Sequence, residues 1–415
     1  MSVRFFFTLG LLFISPFLRA ENWPGWRGPR GDGTSLEKTV PLHWALDKNI
    51  AWKAELPGGG HASPVVWNDR VFTVCAKPET EERFLVCLDR NTGRILWQKT
   101  VLKSPFESKH SLNSFASSTP TTDGRLVYVS FLDGQQMVVA AYDFEGEQRW
   151  VVRPGAFSSR HGFCSSPLLF QDTVILNGDH DGDSYLIALA TKDGSTRWKV
   201  PRQNKTRSYC VPIIRQLSSR TQMILSGDQS VASYDPANGK RDWYMAGPTE
   251  QFVVSLVYNP KPDLLFMTGG YPELHILALH HNGEGTIGDS SIAWRSKKWV
   301  SYVPSPISEG DYFLLVSDGG IASCFEAASG KSLWQERLGG DHHASIVSAN
   351  GLVYFLSDQG RMTVVRAGPI FEVVARNQIG ETCFSSPAIS QGQIFLRGEK
   401  HVFAIGDITR TALAP

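Results

Sequence analysis

A short phrase that recurs along the chain constrains its fold more than any other feature. Each copy begins with a small residue, continues through a turn that ends in Gly, and closes with a Trp four positions after that Gly. The five clear copies span residues 87–97, 141–150, 188–198, 233–243 and 324–334. Because random placement would not keep the Gly-to-Trp spacing constant, the phrase indicates a repeated structural unit.

Weaker copies fill the gaps between these five. Trp294 closes a copy whose turn is lengthened by residues 280–285, Val374 stands where another Trp would be due, and Trp52 has no copy before it. Successive closing positions lie 40 to 53 residues apart. Each unit opens with small residues and Pro, such as Ser-Ser-Pro at 385–387, and has room for four short strands. Four strands in a unit of this length are typical of a β-propeller blade.

The two ends of the repeat region predict how the ring closes. Residues 385–404 supply only three strands, whereas residues 50–56 form a strand that no repeat precedes. We expect these segments to pair and complete an eighth blade, because an open ring would expose strand edges. The sequence therefore predicts an all-β, eight-bladed β-propeller whose N-terminal strand completes the C-terminal blade.

The Trp of each unit has a predicted structural role. An indole buries a large apolar surface, and its N–H usually finds a hydrogen-bond partner when buried. We therefore expect these side chains to pack between neighbouring blades and to donate to a nearby carbonyl. The predicted docking residues are Trp52, Trp97, Trp150, Trp198, Trp243, Trp294 and Trp334.

The 415 residues divide into four predicted segments. Residues 1–20 contain a basic start and an apolar run too short to span a membrane, as in a signal peptide. Residues 21–48 form a leader that includes the sequence WPGWRGPRGDG, residues 49–406 form the propeller, and residues 407–415 form a C-terminal tail. We expect an exported, periplasmic or secreted monomer with no transmembrane segment. The sequence leaves open whether the leader docks on the ring.

Charge and motifs exclude several functions. The chain has 41 Lys and Arg against 40 Asp and Glu, a net charge of +1, so it lacks the one-signed field of nucleic-acid binders. It also lacks the His-Glu-x-x-His, Gly-x-Ser-x-Gly and phosphate-cradling glycine motifs. Hydrolase and nucleotide chemistry are therefore unsupported.

The repeated phrase resembles the tryptophan-docking repeat of eight-bladed quinoprotein propellers, and the resemblance covers residues 50–406. Such propellers bind pyrroloquinoline quinone (PQQ) in the enzymes and nothing in many relatives. The leader is similar to the start of exported propellers of planctomycete-like bacteria, which are described as PQQ-like or BamB-like repeat proteins. The resemblance implies the fold and leaves the function to be decided at the site.

The quinone chemistry of that family depends on further residues besides the repeat. Quinoprotein dehydrogenases resemble one another in a pair of adjacent cysteines, a bound Ca²⁺ and an Asp base. Here the cysteines stand at 75, 87, 164, 210, 324 and 383, so none are adjacent. We expect no PQQ, no Ca²⁺, no other metal and no catalytic residues.

One set of positions is a candidate ligand site. The residue before each inner strand should project at one mouth of the central channel, and in every blade it is aromatic or His. These eight residues are His61, Phe115, Phe163, Tyr209, Phe252, Tyr302, His343 and Phe384. His161 lies beside them in the sequence and is the ninth candidate. They would either form a ligand pocket or plug the channel where the blades converge.

The cysteines leave two interpretations. Cys75 and Cys87 flank the connection between two strands of one blade, so a local disulfide between them is one interpretation in an exported chain. Burial as small hydrophobic residues is the other.

We expect a non-enzymatic envelope scaffold that engages a protein partner or a small ligand at the channel mouth. The alternatives are a PQQ-dependent dehydrogenase of alcohols or sugars and a carbohydrate-binding propeller.

Overall fold

The computed structural model describes residues 21–217 and 220–406. The predicted signal peptide and C-terminal tail lie outside these residues. The described chain is almost entirely strands and turns, with two single-turn 3₁₀ helices at Pro78–Thr80 and Asp289–Ser291. Its strands form eight separate sheets of four or five strands each, arranged as the blades of a propeller.

The first four blades follow one another along the chain, and the strands of each are given from the channel outwards. Blade 1 consists of Val65–Trp67, Arg70–Lys77, Glu82–Asp89 and Ile95–Lys103. Blade 2 consists of Thr121–Thr122, Leu126–Asp133, Gln136–Asp143 and Gln148–Ala156. Blade 3 consists of Leu168–Phe170, Thr173–Gly178, Tyr185–Ala190 and Thr196–Pro201. Blade 4 consists of Ile213–Leu217, Arg220–Gly227, Ser230–Tyr234, Arg241–Ala246 and Gly285–Thr286.

The last four blades continue the ring. Blade 5 consists of Val257–Asn259, Leu264–Gly269, His275–Leu279 and Ile292–Ser296. Blade 6 consists of Ile307–Glu309, Tyr312–Val316, Ile321–Glu326 and Ser332–Arg337. Blade 7 consists of Val347–Ala349, Leu352–Leu356, Arg361–Arg366 and Val373–Gln378, with Thr34–Ser35 parallel to its inner strand. Blade 8 consists of Ala388–Ser390, Gln393–Arg397, His401–Ile405 and Ile50–Glu55.

Blade 8 joins the two ends of the repeat region in one sheet. Ile50–Glu55 is its outer strand and pairs antiparallel with His401–Ile405, in a register that sets Trp52 opposite Ala404. Trp52 therefore takes the place that the repeat Trp has in the other blades.

The core lies between the blades. The middle strands are buried on both faces, so alternate side chains enter the junctions on either side of a blade. In blade 1, Cys75 packs into the junction with blade 8 and Cys87 into the junction with blade 2. The two thiols face opposite sides of the sheet, and all six cysteines are free in the structure. The interpretation of Cys75 and Cys87 as a disulfide is therefore corrected by the strand register.

Six of the seven docking Trp side chains donate their indole N–H to a backbone carbonyl of the next blade. These bonds, 2.6–3.0 Å long, run from Trp52 to Arg90, Trp97 to Phe144, Trp150 to Thr191, Trp198 to Pro236, Trp294 to Ala327 and Trp334 to Gly368. The repeat Gly allows the turn to lie close against the Trp of the preceding blade. Gly194 has a φ of +72°, and a Cβ there would lie 2.8 Å from the Trp150 ring of the preceding blade.

Trp243 departs from this pattern. It is buried between blades 4 and 5, but its N–H donates to the side-chain oxygen of Gln222 in its own blade, at 2.9 Å. The lengthened turn of blade 5 lays Gly285–Thr286 along the outer strand of blade 4, parallel to Trp243 and Tyr244. The turn of blade 5 therefore differs in shape from the equivalent turns of the other blades. At this junction the indole N–H bonds within its own blade.

A belt of hydrogen bonds joins the inner strands near the channel. At seven of the eight junctions a backbone N–H donates to a Ser or Thr hydroxyl of the next blade, at 2.9–3.1 Å. The pairs are Ser63 to Thr119, Thr119 to Ser166, Val211 to Ser255, Ser255 to Ser305, Ser305 to Ser345, Ser345 to Ser386 and Ser386 to Ser63. The belt is interrupted between Ser166 and Val211, because Val has no hydroxyl to accept.

The leader docks across the channel at the far ends of the inner strands. Trp23 is fully buried and pairs with Val66 of blade 1, while the carbonyl of Pro24 accepts the Thr122 N–H of blade 2. Arg27, also buried, donates to the carbonyl of Pro306 in blade 6 at 2.5 Å. Because blades 2 and 6 face each other across an eight-bladed ring, the leader spans this mouth of the channel.

Candidate binding site at the open mouth

The mouth opposite the leader contains a cavity of about 560 Å³. It is formed by the loops that precede the inner strands and by the turns between the two middle strands of the blades. Its polar and aromatic lining includes His61, His110, Asn113, Arg160, His161, Arg207, Tyr209, Gln251, Tyr271, Tyr302, Asp318, His343 and Phe384. The inner strands place these residues together because each one runs away from this mouth.

The structure separates the predicted aromatic ring into three groups. Six of the nine predicted residues line the cavity: His61, His161, Tyr209, Tyr302, His343 and Phe384. Phe115 lies in an adjacent cleft, where its ring centroid is 4.1 Å from that of Phe106.

The remaining two predicted residues, Phe163 and Phe252, lie in the packed cores between blades. Phe163 packs edge-on against Phe157, and Phe252 is fully buried between blades 4 and 5. These two connections turn their aromatic side chain into the apolar junction rather than towards the channel, so neither contributes to the cavity.

The adjacent cleft, of about 680 Å³, opens into the same mouth. It shares His61, Asn113 and Phe384 with the central cavity and continues between blades 8, 1 and 2. Its wall includes residues 58–60, three consecutive glycines, and a Cβ added at Gly59 would meet nothing within 4 Å. The cavity and the cleft therefore form one trough, from the channel axis to the rim.

Aromatic rings form two groups in this trough. Phe384 lies between two imidazoles, with ring centroids 4.4 Å from His61 and 5.9 Å from His343. On the other side, His161 stacks on Tyr209 at 6.2 Å and meets His110 edge-on at 5.6 Å. Such faces offer flat apolar surface with polar atoms at their edges.

Hydrogen bonds hold the lining side chains in place. Ser159 bonds the Tyr209 hydroxyl at 2.7 Å, and the Gln251 amide donates to the Tyr302 hydroxyl at 2.7 Å. The Asp318 carboxylate accepts the backbone N–H groups of Tyr302 and of Val303, at 2.8 and 3.1 Å. The site is thus pre-organised.

Acidic residues in the turns between middle strands have a role that the sequence reasoning missed. Asp318 caps the loop that enters blade 6, as described above, and Asp358 of blade 7 accepts both the backbone N–H and the ring Nδ1 of His343, at 3.0 and 2.6 Å. Asp228 of blade 4 likewise accepts three backbone N–H groups of residues 203–206. The available signal was the Asp that stands in each of these three turns.

Further lining residues were also missed, among them His110, Arg207 and Gln251. All three lie in connections between blades, and none stands directly before an inner strand. The positional rule that predicted the aromatic ring therefore could not find them.

Two imidazoles of the mouth have lowered pKa values. Burial lowers the pKa of His61 to about 4, and the nearby Arg397 and Lys109 cations add to this effect. Burial also lowers the pKa of His161, and the cation of Arg207 acts in the same direction. Both rings are therefore neutral at pH 7.

His343 behaves differently. Burial would lower its pKa, but the Asp358 carboxylate that accepts its ring N–H, together with the charges of Asp318 and Asp341, raises that pKa above its usual value. The mouth thus combines neutral imidazoles with one that gains a proton more readily.

The described lining lacks the grouped metal ligands and the paired cysteines that the resemblance to the dehydrogenases implies. Within residues 21–217 and 220–406, no three His, Cys, Asp or Glu side chains are grouped to hold a metal ion. Among the described residues that line the cavity, Asp318 is the one carboxylate, and it already accepts two backbone N–H groups. Cys164 is the one cysteine of that described lining, and burial raises the pKa of its thiol to about 12.

Comparison with known proteins identifies the family of the chain. A family model described as outer membrane protein assembly factor BamB matches residues 43–160, 81–317 and 286–368. The chain belongs to this family. The BamB of Burkholderia pseudomallei is 26% identical to it over 208 residues, which are 50% of this chain and 45% of that protein. The chain thus matches less than half the length of this curated relative.

Solved structures show the same architecture for this member of the BamB family. BamB from Moraxella catarrhalis superposes with a TM-score of 0.62 at 13% identity, covering 86% of this chain and 99% of that one. Quinohemoprotein alcohol dehydrogenase from Comamonas testosteroni gives 0.63 at 11% identity, covering 93% and 81%. At these identities the likeness shows the shared fold alone.

Between residues 21 and 406, positions 218–219 aside, no helix is long and apolar enough to cross a membrane.

Proposed function

We propose that this chain is an exported, non-enzymatic scaffold of the cell envelope that engages a partner polypeptide at its open mouth. The observation that carries the proposal is the contrast between the two ends of the channel. The leader fills one end, whereas the other presents a pre-organised aromatic trough. Membership in a family described as an outer membrane assembly factor supports a place in the envelope.

The chemistry of the trough supports binding rather than catalysis. Cys164 is held as a neutral thiol by burial, and in the described structure no Ser or Thr hydroxyl bonds to the His343 imidazole. A nucleophile needs an adjacent base or a lowered pKa to react at neutral pH, and the lining that the structure describes offers neither arrangement.

Exposed apolar side chains also favour a macromolecular partner. Leu112 and Tyr271 line the trough at its rim, with 47% and 58% of their surfaces exposed. Leu274 and Trp299 lie on loops of the same face and are 42% exposed each. Exposed apolar surface around a pocket is typical of protein interaction sites.

Site-specific photo-crosslinking in the native host tests the proposal. Benzoylphenylalanine placed at position 112 or 271 is expected to form a discrete adduct with an envelope protein. The same probe at Val151 on an outer strand, or at Ile370 in an outer turn, serves as the matched control, because both side chains are exposed away from the mouth. Equal adducts at all four positions, or none at the rim, would contradict the proposal.

A cofactor titration tests the competing function. The purified protein is mixed with PQQ and Ca²⁺, and absorbance and dye-linked oxidation of alcohols and sugars are measured. We expect neither saturable uptake nor turnover. Saturable uptake with turnover would establish a dehydrogenase instead, and binding in a glycan array would favour carbohydrate recognition.

A further inference from the structure

The charged groups of the trough restrict the chemistry of its ligand. Among the described residues, two guanidinium groups line the central cavity, those of Arg160 and Arg207. Arg160 is exposed and forms no ion pair within residues 21–217 and 220–406. Arg207 pairs with Asp181 at 2.8 Å through one nitrogen, while its buried Nε has no hydrogen-bond partner in the described part of the chain. The central cavity is therefore lined by one exposed guanidinium group without an ion pair in the described chain, and by a second that its carboxylate partner contacts through one nitrogen.

The acidic groups near these donors are already engaged. Asp318 accepts two backbone N–H groups, and Asp358 holds His343. The lining of the adjacent cleft contains two lysines, Lys109 and Lys400, and two carboxylates, those of Glu55 and Glu399. That part of the trough is therefore balanced in charge. The lining of the central cavity, in contrast, has two guanidinium groups and one carboxylate, that of Asp318.

Cations also act on two neighbouring imidazoles, although not the same cations on both. The charges that act on His61, from Arg397, Lys109 and His343, all lower its pKa. At His161 the lowering effects of burial and of Arg207, His110 and Arg160 exceed the opposing effect of Asp181. The cations of Arg207 and Arg160 thus act on the position of His161, and a negative ligand group beside these two guanidinium groups would be stabilised by them.

Size favours a polypeptide over a small anion. The cavity and the cleft, about 560 and about 680 Å³, together exceed the roughly 300–1,000 Å³ that small-molecule sites occupy. The exposed Leu274 and Trp299 lie on the same face, outside the lining of both. An extended segment with large side chains would reach all of these regions.

We propose that the open mouth recognises an acidic, aromatic-bearing extended segment of a partner protein, with a carboxylate bound by Arg160 and Arg207 and aromatic side chains in the trough. This inference rests on the proposed function, since it names the chemistry of the partner at the same mouth. Charge-assisted hydrogen bonds to guanidinium supply specificity for the acid, and ring stacking supplies much of the buried area.

Fluorescence anisotropy with defined peptides tests this inference on the purified protein. The probes are a fluorescein-labelled eight-residue peptide of alternating Glu and Tyr, and its counterparts with Gln, or with Lys, in place of Glu. We expect the Glu peptide to bind at least tenfold more tightly than the Gln peptide, and the Lys peptide not to bind. Affinity should fall as salt rises, because charge pairs at a solvent-exposed mouth are screened.

Two substitutions locate the contact. Arg160→Gln and Arg207→Gln are each expected to weaken the Glu peptide about tenfold and to leave the Gln peptide unchanged. Lys331→Gln, in an exposed outer turn, is the matched control and should change affinity less than twofold. If Arg207→Gln unfolds the protein through loss of its Asp181 pair, Arg160→Gln still decides the question, since Arg160 is exposed.

The outcomes separate this inference from the proposed function. Equal binding of the Glu and Gln peptides, or no effect of the Arg substitutions, would overturn the acidic specificity. Benzene-1,3,5-tricarboxylate binding as tightly as the Glu peptide would assign the site to a small polycarboxylate instead. In both cases, crosslinks from positions 112 and 271 at the rim would still support the scaffold proposal. Their absence would contradict both the scaffold proposal and the acidic specificity.

Discussion

The two mouths of the channel are built from the same inner strands but are finished in opposite ways. At one, the leader lies across the ring and contacts blades 1, 2, 6 and 7 through buried side chains and backbone bonds. At the other, loops of irregular length leave a trough lined by imidazoles, tyrosines and guanidinium groups. The repeat specifies the ring, and the segments that do not repeat make its ends different. The comparison predicts that substitutions at the closed end change stability and that those at the open end change binding.

The largest effect is expected at the leader. Trp23→Ala removes a fully buried indole that packs in the cluster shared by blades 7, 8 and 1. We expect a loss of about 3–5 kcal/mol in the free energy of unfolding, because a cavity replaces the ring. Urea denaturation followed by Trp fluorescence or circular dichroism measures it. A loss below about 1 kcal/mol would mean that the leader is not part of the folded core.

Acidification should lower the free energy of unfolding through His61, which lies at the open end. His61 has a pKa of about 4 in the folded protein, below its value in the unfolded chain, so the unfolded state binds more protons between about pH 6.5 and pH 4. Stability is therefore lost as the pH falls through this window, by up to about 3 kcal/mol from His61 alone. Unfolding curves at a series of pH values test this. His61→Phe should flatten the dependence, and an unchanged slope in that variant would refute the assignment.

A smaller effect is expected in the hydrogen-bond belt, which lies between the two ends. Ser386→Ala removes the hydroxyl that accepts the Ser345 N–H. An orphaned buried N–H costs about 1–3 kcal/mol, and we expect a loss of stability in this range in urea denaturation.

The interrupted junction of the belt supplies the matched control. Val211 already lacks a hydroxyl at the equivalent position, so Val211→Thr removes no hydrogen bond. It is expected to cost less than Ser386→Ala, and a reversed order of the two variants would argue against the belt.

The smallest effect on stability is expected at the rim. Leu112→Ser alters a side chain that is 47% exposed, and such surface changes usually stay within about 0.5 kcal/mol. Its effect should appear instead in reduced anisotropy of the labelled Glu and Tyr peptide. A large loss of stability with unchanged binding would reverse the contrast between the two ends.

Local pattern predicted most of the ring, because each blade repeats the same short-range geometry. A turn Gly four residues before the Trp indicated the wedge at four junctions, and the position in the repeat indicated Trp52 and Trp294. The bond of Trp243 was not predicted, because Gln222 and the lengthened turn act through tertiary contacts that spacing does not reveal. The Ser and Thr residues before the inner strands were recognised as small, but their bonds to the next blade were not.

The candidate site was less predictable for a related reason. Position before an inner strand brought five of its eight residues to the cavity, with His161 beside them, but Phe163 and Phe252 turn into apolar junctions nearby. Arg207 reaches the mouth from a connection whose length varies between blades. The course of the leader depended on Arg27 meeting Pro306, a contact across 279 positions of sequence.

The shared sheet of blade 8 also imposes an order on assembly. Its outer strand, Ile50–Glu55, is among the earliest parts of the ring to be synthesised, yet its neighbour His401–Ile405 is among the last. Until that late segment is available, the early strand has no partner in this sheet and the circle cannot be sealed. Folding is therefore completed only after residue 405 has been made, and a polypeptide stopped short of residue 401 would carry an unpaired edge.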